Sequence, residues 1–576
     1  MKANSNSFIL ILCLALAAAP ALAQEDPGAL GPREVTMAEY DYGDSAFLFE
    51  GLVPTEVRAR VHYPTDLTDG PFPLVIFLHG WHPTCYFGAS AFLQWPCPAP
   101  REPIPSFQGY DYVARVLASH GYIVASISAN GVNARDTLFF DVGMLWRGQL
   151  IQLHLDQWNT FHTVGAPPFD KLFVGKVDLQ RVGTMGHSRG GEGVSRHYTY
   201  NREIGSPYGV KAVLPLAPVN FSRPSVDNTA LNVLLPYCDG DVADLQGMHF
   251  FDDVRYMPAD PTNKHVTLVM GGNHAFYNTI WTPGGWPAAT WDDWYAFEDP
   301  AGIDPFCGRT PTSHKLNAEQ TRGTGIAYFT GFFRLYLGNE TQFLPLFKGD
   351  VPPPPSAMTN EILMSYQAQD AVGSRLDLNR LLSDENLTLN NLGGAVAPSG
   401  LTPYDLCGGE DPQPRHCLPT QPTRRQPHTT PSARDANRRG LSQLRIGWDD
   451  NTASWNNELP AGTGDVTMYT ALQFRAAVNF TDPRNPADLP QDFSVTLTDG
   501  DGNSATVLVS AYSSALYYPP GGAPGIVAVP RIILNTVRIP LTAFAGVNLA
   551  DVRGVQLKLD QQIQGGVLIS DLAFSE

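Results

Sequence analysis

The chain has 576 residues, of which 43% are apolar and only 16% are charged, and its formal net charge is −18 at pH 7. That length indicates a few domains, and that apolar fraction is enough for sizeable hydrophobic cores. The negative charge excludes nucleic acid and anionic membrane surfaces as expected partners, because both require basic patches. We attribute the acidity to solubility and not to substrate recognition.

The N-terminus has the layout of an export signal. An apolar segment from Phe8 to Ala19 follows Met1-Lys2, and Ala21-Leu22-Ala23 precedes Gln24. This pattern predicts a Sec-type signal peptide over residues 1–23, cleaved after Ala23, and therefore a secreted or periplasmic protein. No other run approaches the ~20 apolar residues that cross a bilayer, so the sequence predicts no stable membrane insertion.

Two glycine-containing turns follow predicted strands in the first part of the chain. Pro73 to Leu78 is an apolar run that leads into His79-Gly80-Trp81, and Val182 to Met185 leads into Gly186-His187-Ser188-Arg189-Gly190-Gly191. The second turn has the G-x-S-x-G spacing of a nucleophile elbow, in which a serine projects from a tight strand-to-helix turn. A helix from Gly190 to about Tyr200 would point its N-terminal N–H groups at Ser188.

Two later strands end in turns that carry an acid and a base. Val233 to Tyr237 leads into Cys238-Asp239-Gly240-Asp241, and Val266 to Met270 leads into Gly271-Gly272-Asn273-His274. The chain order serine, aspartate, histidine is that of α/β-hydrolases. Only His274 combines this order with a flexible turn, which favours it as the base over the other candidates, namely His79, His82, His187, His197, His249 and His265.

These motifs make residues 34–338 resemble a secreted α/β-hydrolase of the esterase, lipase and cutinase-like group, which includes polyester hydrolases. The resemblance implies an α/β-hydrolase fold and acyl transfer, with Ser188 as the nucleophile and His274 as the general base. In this group the acid ends a glycine-containing turn, which favours Asp241 and leaves Asp239 as the alternative.

The resemblance also implies an oxyanion hole made by the backbone N–H groups of Trp81 and Arg189. Arg189 departs from the small or apolar residue common after the nucleophile in lipases, and it adds a long cation beside the site. The tryptophans that follow His274 are predicted substrate-binding residues on an insertion that covers the site, and a small aromatic core within the insertion is the alternative. They are Trp281, Trp286 and Trp291.

Six cysteines remain once Cys13 leaves with the signal, an even number that favours disulfides in an oxidising compartment. Cys85 with Cys97 and Cys407 with Cys417 are neighbours in loop-rich sequence. The remaining pair, Cys238 with Cys307, resembles the active-site disulfide of some polyester hydrolases. Six cysteines allow 15 pairings, and a buried free thiol at Cys238 stays open. No Cys-x2-Cys spacing or paired histidines accompany them, so neither a metal nor a cofactor is predicted.

The pattern changes after Pro352-Pro353-Pro354-Pro355. The sequence predicts a hydrolase domain over 24–348, a proline-rich linker over 349–357 and an all-β sandwich over 358–576, with a mobile insertion at 411–440. The first strand of the sandwich is placed at 362–366, and the last strands resemble a galactose-binding-like jelly roll, which implies a carbohydrate ligand. With such a linker, residues 24–350 are expected to fold and act on a small ester alone.

Two functional classes follow from these observations. The first is a secreted serine ester hydrolase, with an extracellular polymer or an acylated polysaccharide as its candidate substrate. The second is a non-catalytic carbohydrate-binding or adhesion protein with a degenerate hydrolase domain. The complete set of Ser188, His274 and an aspartate favours the first.

Overall fold

The computed structural model of the protein describes residues 25–382, 385–408, 417, 442–521 and 530–576. The predicted signal peptide at 1–23 lies outside these residues. So does the predicted insertion at 411–440, apart from Cys417. No helix among the described residues is long and apolar enough to cross a membrane.

Nine strands form one mixed sheet in the first part of the chain. They are β1 Val35–Asp41, β2 Arg58–Pro64, β3 Phe72–Leu78, β4 Ile123–Ile127, β5 Val177–His187, β6 Val210–Leu216, β7 Ala230–Pro236, β8 Lys264–Val269 and β9 Ile362–Gln367. Their order across the sheet is β1-β2-β4-β3-β5-β6-β7-β8-β9. Strands β3 to β8 are parallel, whereas β1, β2 and β9 pair antiparallel with their neighbours.

Helices cover both faces of this sheet. They are α1 Asp111–Ser119, α2 Asn130–Asn133, α3 Met144–Thr163, α4 Arg189–Glu203, α5 Met248–Val254, α6 Ala318–Gly338 and α7 Leu344–Lys348. Leu74 and Ile76 of β3 share a core with α3 and α4, while Val75 and Phe77 share the opposite core with α1 and α6. Because strand side chains alternate between faces, an apolar run such as β3 is buried on both sides.

Short strands and single helical turns lie in the loops between the main elements. The paired short strands are Phe47–Phe49 with Val53–Thr55, and Cys85–Phe87 with Ser90–Phe92 and Glu102–Pro103. Among the described residues of both domains, the 3₁₀ turns are Ser106–Tyr110, Asp136–Leu138, Ala275–Tyr277, Thr341–Phe343, Pro355–Ala357, Val509–Ala511 and Leu541–Ala543, and Trp294–Glu298 is a single π turn.

The second part of the chain is all-β. Its strands are β10 Arg375–Asn379, β11 Val396–Ser399, β12 Leu401–Cys407, β13 Gln443–Trp448, β14 Ser454–Glu458, β15 Ala471–Val478, β16 Ser494–Asp499, β17 Ser504–Leu508, β18 Asn535–Pro540, β19 Val552–Lys558 and β20 Gly565–Ser575. One antiparallel sheet has the order β12-β13-β20-β15-β18, with β10 also paired to β20, and the other has the order β11-β14-β19-β16-β17. Apolar residues of both sheets, such as Phe474 and Leu557, share one core, as in a β-sandwich.

The predicted boundary between the two parts is wrong. Ile362–Gln367, assigned from sequence to the sandwich, is β9 at the edge of the first sheet, where it pairs with β8. The proline-rich segment is docked and does not act as a free linker, since Ser356 hydrogen-bonds to Asp26 through both its amide and its hydroxyl and Ala357 is fully buried. A short apolar strand fits the edge of either sheet, so its sequence alone did not decide between them.

A buried ionic network joins the two domains. Arg475 of β15 donates to Asp252 of α5 at 3.0 Å and to Asp571 of β20 at 3.1 Å. Arg255, just after α5, donates to the other oxygen of Asp571 at 3.1 Å. All four side chains are nearly inaccessible to solvent. Buried charges are tolerated only when they are paired, so this interface fixes the two domains together and does not merely tether them.

Candidate active site

Ser188 occupies the junction between β5 and α4. Strand β5 ends at His187, α4 begins at Arg189, and Ser188 between them has φ 59° and ψ −123°. A positive φ is strained for a residue with a side chain, and such strain is concentrated at functional sites. The flanking glycine Gly186 is required sterically, because a Cβ there would lie 2.0 Å from the carbonyl oxygen of Gly190. The predicted strand, turn and helix are therefore all present.

The turn after β3 lies against Ser188. A Cβ added to Gly80 would come within 2.6 Å of the Ser188 Cβ and 3.3 Å of its Oγ, so only glycine allows this close approach. The next residue is Trp81, one of the two predicted oxyanion donors. The other, Arg189, is the first residue of α4, and its N–H has no acceptor within the helix. Ser188 itself is 4% exposed.

His274 follows β8 and pairs with Asp239. The distance from His274 Nδ1 to Asp239 Oδ2 is 2.8 Å, and Asp239 is fully buried. The other oxygen, Asp239 Oδ1, accepts the backbone N–H groups of Asp241 at 2.9 Å and Val242 at 2.7 Å. Asp239 is thus held by its own turn with one oxygen directed at the imidazole.

This geometry favours Asp239, the alternative acid, over Asp241. The Asp241 side chain is 45% exposed, and its Oδ2 lies 3.5 Å from His274 Nε2, on the opposite side of the ring from Asp239. A triad acid has to accept the Nδ1 proton so that Nε2 is left for the nucleophile, and Asp239 alone satisfies this requirement. In a short turn, the backbone path decides which of two acids points inward, and the sequence does not reveal that path.

The carboxylates favour the charged form of His274. Burial opposes the charge of the imidazolium, but the charges of Asp239 and Asp241 outweigh it and raise the pKa of His274 to about 9. Its Nε2 is buried and forms no hydrogen bond among the described residues. The ring lies 4.6 Å, between centroids, from that of His187, the residue before Ser188.

Asp293 is a buried acid beside this pair that no sequence motif predicts. Its Oδ2 accepts the N–H of Gly240 at 2.7 Å, and its Oδ1 accepts the N–H of Ala275 at 2.8 Å. It therefore ties the turn after β7 to the turn after β8. Burial and then the charge of Asp239 raise the pKa of Asp293 above the ordinary carboxyl range. The sequence signal was the Asp292-Asp293 pair within the aromatic cluster.

Three disulfides confirm the predicted pairings. They join Cys85 to Cys97, Cys238 to Cys307 and Cys407 to Cys417. Cys238 immediately precedes Asp239, and its backbone N–H donates to the carbonyl of Gly272, two residues before His274. The second disulfide consequently anchors the acid-bearing turn to the segment after the histidine.

The Arg189 side chain is anchored beside Ser188. Its Nη1 donates to Asp136 at 2.6 Å, and the fully buried Arg147 donates to the same oxygen at 2.8 Å. The guanidinium lies 5.2 Å from the ring of Trp81. An arginine held by a buried carboxylate shapes the wall of the site without displacing the backbone N–H beside the serine.

The aromatic insertion after His274 packs largely on itself. Trp281 is 2% exposed, donates to Ser106 Oγ at 3.0 Å and stacks on His82 at 5.0 Å. Trp286 and Trp291 are half-buried against the same small apolar cluster. Trp281 also lies 4.8 Å from the ring of His187, which places it next to the site. These contacts favour the alternative, a small aromatic core, for Trp281.

Other histidines near the site already have partners. His79 Nδ1 donates to the Gly80 carbonyl and its Nε2 accepts the Ala129 N–H, both at 2.9 Å. Burial lowers the pKa of His79 to about 3, so the ring is neutral and structural. His187 Nδ1 bonds the hydroxyl of Tyr110 at 3.0 Å, and burial holds its pKa well below the ordinary value.

Within the described residues, no group of three or more histidine, cysteine, aspartate or glutamate side chains lies close enough together to hold a metal ion. The structure places the turn after β3 against the strained Ser188, and it places the ring of His274, which is paired with Asp239, 4.6 Å from that of His187, the residue before Ser188. No protein-family model matches the chain, and no curated protein matches it either.

Proposed function

We propose that the chain is a secreted serine ester hydrolase that acts through Ser188, His274 and Asp239. The observation that carries the proposal is the strained Ser188 between β5 and α4, preceded by His187, whose ring lies 4.6 Å from that of a buried histidine, His274, with its Nδ1 bonded to Asp239. With φ 59° and ψ −123°, Ser188 lies outside the small left-handed α region, and residues held in such sparsely populated conformations cluster at functional sites. Three disulfides support export to an oxidising compartment.

The proposed reaction is acyl transfer in two steps. Ser188 Oγ attacks the ester carbonyl while His274 Nε2 takes its proton, and His274 then gives that proton to the departing alcohol. Water attacks the resulting acyl-serine, His274 takes the water proton, and the acid leaves as Ser188 regains its hydrogen. Asp239 keeps the Nδ1 proton in place and stabilises the imidazolium. The N–H groups of Trp81 and Arg189 receive the developing oxyanion, at about 3 kcal/mol per donor in comparable sites.

The order of elements supports an α/β-hydrolase fold for the first domain. The proposed nucleophile, acid and base follow β5, β7 and β8, which are parallel strands of one sheet. Their carboxyl ends meet at one edge of the sheet, where ligands of such sheets bind. The galactose-binding-like ancestry of the second domain and a carbohydrate ligand for it are further proposals, as are polymeric esters and acylated polysaccharides as substrates.

The test is hydrolysis of a short p-nitrophenyl ester by the wild type and by Ser188→Ala. We expect an acyl-enzyme burst from the wild type and a loss on the order of 10⁶ in kcat for the variant, with an unchanged fold. Ser195→Ala is the matched control, because Ser195 is a buried serine of α4, the helix that follows Ser188, and its hydroxyl bonds the Gly191 carbonyl at 3.1 Å and no other group among the described residues. It should keep activity.

A Ser188→Ala protein that retained more than about a hundredth of wild-type activity would exclude Ser188 as the nucleophile. The second class, a non-catalytic carbohydrate-binding protein, would be favoured by two results together. The wild type would hydrolyse no ester of any chain length, and a fluorophosphonate would not label Ser188.

A further inference from the structure

The second domain reaches the proposed active site through Arg531. This residue lies just before β18, is 1% exposed, and points its guanidinium at the turn after β7 in the first domain. Its Nη1 donates to the carbonyl oxygen of Tyr237, and its Nη2 donates to that of Asp239 at 3.2 Å. The acid that holds His274 therefore has its own backbone held by the other domain.

Two aromatic rings of the first domain also lie close to the Arg531 guanidinium. It lies 5.3 Å from the ring of Tyr237 and 5.2 Å from that of Trp294, the residue after Asp293. The Tyr237 hydroxyl accepts the backbone N–H of Arg531 at 3.2 Å and donates to the carbonyl of Pro520 at 2.9 Å. Backbone and side chain of the second domain thus both bind the end of β7.

Carbonyls beyond the end of a strand lack ladder partners, and leaving them unpaired in a buried region costs free energy. A planar guanidinium can donate to two acceptors at fixed angles, which the single ammonium of lysine cannot reproduce. Arg531 therefore does more than neutralise charge. Its two bonds hold the backbone carbonyls of Tyr237 and Asp239 in place. A shift of about 1 Å in the position of Asp239 is enough to lower turnover by about a hundredfold.

We infer that Arg531 is a positioning residue for the Ser188–His274–Asp239 triad, so that the β-domain completes the active site. This inference rests on the proposed function. It differs from the expectation of a tethered binding module, which would alter local substrate concentration without altering the chemistry.

The experiment compares Arg531→Met and Arg531→Lys with Arg475→Met in the full-length chain. Arg475 is the matched control, because it is also a buried arginine of the β-domain that lies over an aromatic ring, Phe251. It donates to Asp252, to Asp571 and to the carbonyl of Leu534, but among the described residues it forms no hydrogen bond with Tyr237 or Asp239. The readouts are kcat and KM for a short soluble ester, the pH dependence of kcat/KM, the titration of His274 by ¹⁵N-histidine NMR, and thermal stability.

For Arg531→Met we expect kcat to fall by up to about a hundredfold with KM nearly unchanged, and a smaller loss for Arg531→Lys. Displacing Asp239 removes the main charge that supports the imidazolium, so the His274 titration and the acid limb of kcat/KM should both move to lower pH. Arg475→Met should lose thermal stability while keeping the His274 titration of the wild type.

An Arg531→Met protein with wild-type kcat and an unchanged His274 titration would overturn the inference, as would equal shifts in both arginine variants. If Arg531→Met does not fold, Arg531→Lys decides, since lysine keeps the charge but cannot bond both carbonyls at the angles of a guanidinium. A lower His274 titration in that variant supports the inference, and an unchanged one refutes it. The NMR titration needs no turnover, so an inactive wild type would contradict the proposed function while leaving the role of Arg531 open to the same measurement.

Discussion

Replacing Asp239 with asparagine is the sharpest test of the proposed triad. The rise in the pKa of His274 from 6.5 to about 9 corresponds to about 3 kcal/mol in favour of the imidazolium, and Asp239 is its largest carboxylate source. Asparagine removes the charge and offers an amide N–H to Nδ1, which would hold the wrong tautomer. The same exchange in a comparable triad lowers kcat by about 10⁴, and we expect a loss of that order here.

The pH dependence of activity provides the first assay. The base must be neutral to accept the serine proton, so kcat/KM of the wild type should rise with pH through about 9. In Asp239→Asn the pKa of His274 should fall below its ordinary value, because burial is then opposed only by the weaker charges. The residual activity should therefore reach its plateau at a lower pH than that of the wild type.

Stability provides a second, independent assay. The folded-state pKa of His274 lies above its ordinary value, so the resulting stabilisation is present in full below about pH 6.5 and is lost as the pH rises through about 9. Its size is about 3 kcal/mol. Denaturant unfolding at the two ends of this window should show this loss in the wild type and a smaller one in Asp239→Asn.

Asp241→Asn is the matched control, since it changes an acid of the same turn. Its half-exposed carboxylate makes no hydrogen bond to Nδ1, and we expect kcat to stay within about tenfold of the wild type. A larger loss in Asp241→Asn than in Asp239→Asn would refute the assignment of the acid and restore the preference drawn from the sequence.

Two further predictions concern the scaffold of the site. Replacing both Cys238 and Cys307 with serine should lower the free energy of unfolding by about 4 kcal/mol, because the disulfide closes a loop of 69 residues, and an unchanged melting temperature would contradict this. A chain ending at residue 350 should be insoluble or inactive on a small ester, because it lacks β9 and leaves Asp252 and Arg255 without Arg475 and Asp571; a soluble truncation with wild-type kcat would show that the domains are independent.

The motifs at strand ends were predictable from sequence for a local reason. An apolar run followed by a glycine-containing turn is a short-range pattern, and the turns at Ser188 and His274 each lie within a few residues of the strand that carries them. The pairing of Cys238 with Cys307 followed once the two local pairs were assigned. The family pattern favours Asp241 over Asp239, whereas the orientation that distinguishes the two acids depends on hydrogen bonds within the turn, which residue spacing does not encode.

The remaining parts of the site come from residues distant in sequence. Asp293 bonds Gly240, 53 residues away, and Arg531 bonds the Asp239 carbonyl, 292 residues away. No periodicity connects such positions. A weaker signal did exist for Arg531, which stands between Pro530 and the apolar Ile532-Ile533-Leu534. A lone charge in an apolar segment indicates a buried residue that needs a specific partner.

That signal also bears on why the two-domain prediction was incomplete. A proline run and a change from a mixed α/β to an all-β pattern indicated two domains of different architecture. Neither feature indicates how large the buried interface between these domains is. The shared surface is marked by buried charges, Arg475 and Arg531 on one side and Asp252 and the Tyr237–Asp239 turn on the other. A buried cation without its partners is strongly destabilising, so separating the β-domain from the α/β domain would destabilise both arginines. Arg475 holds the domains together through Asp252, and Arg531 holds them together at the turn that carries the acid of the proposed triad.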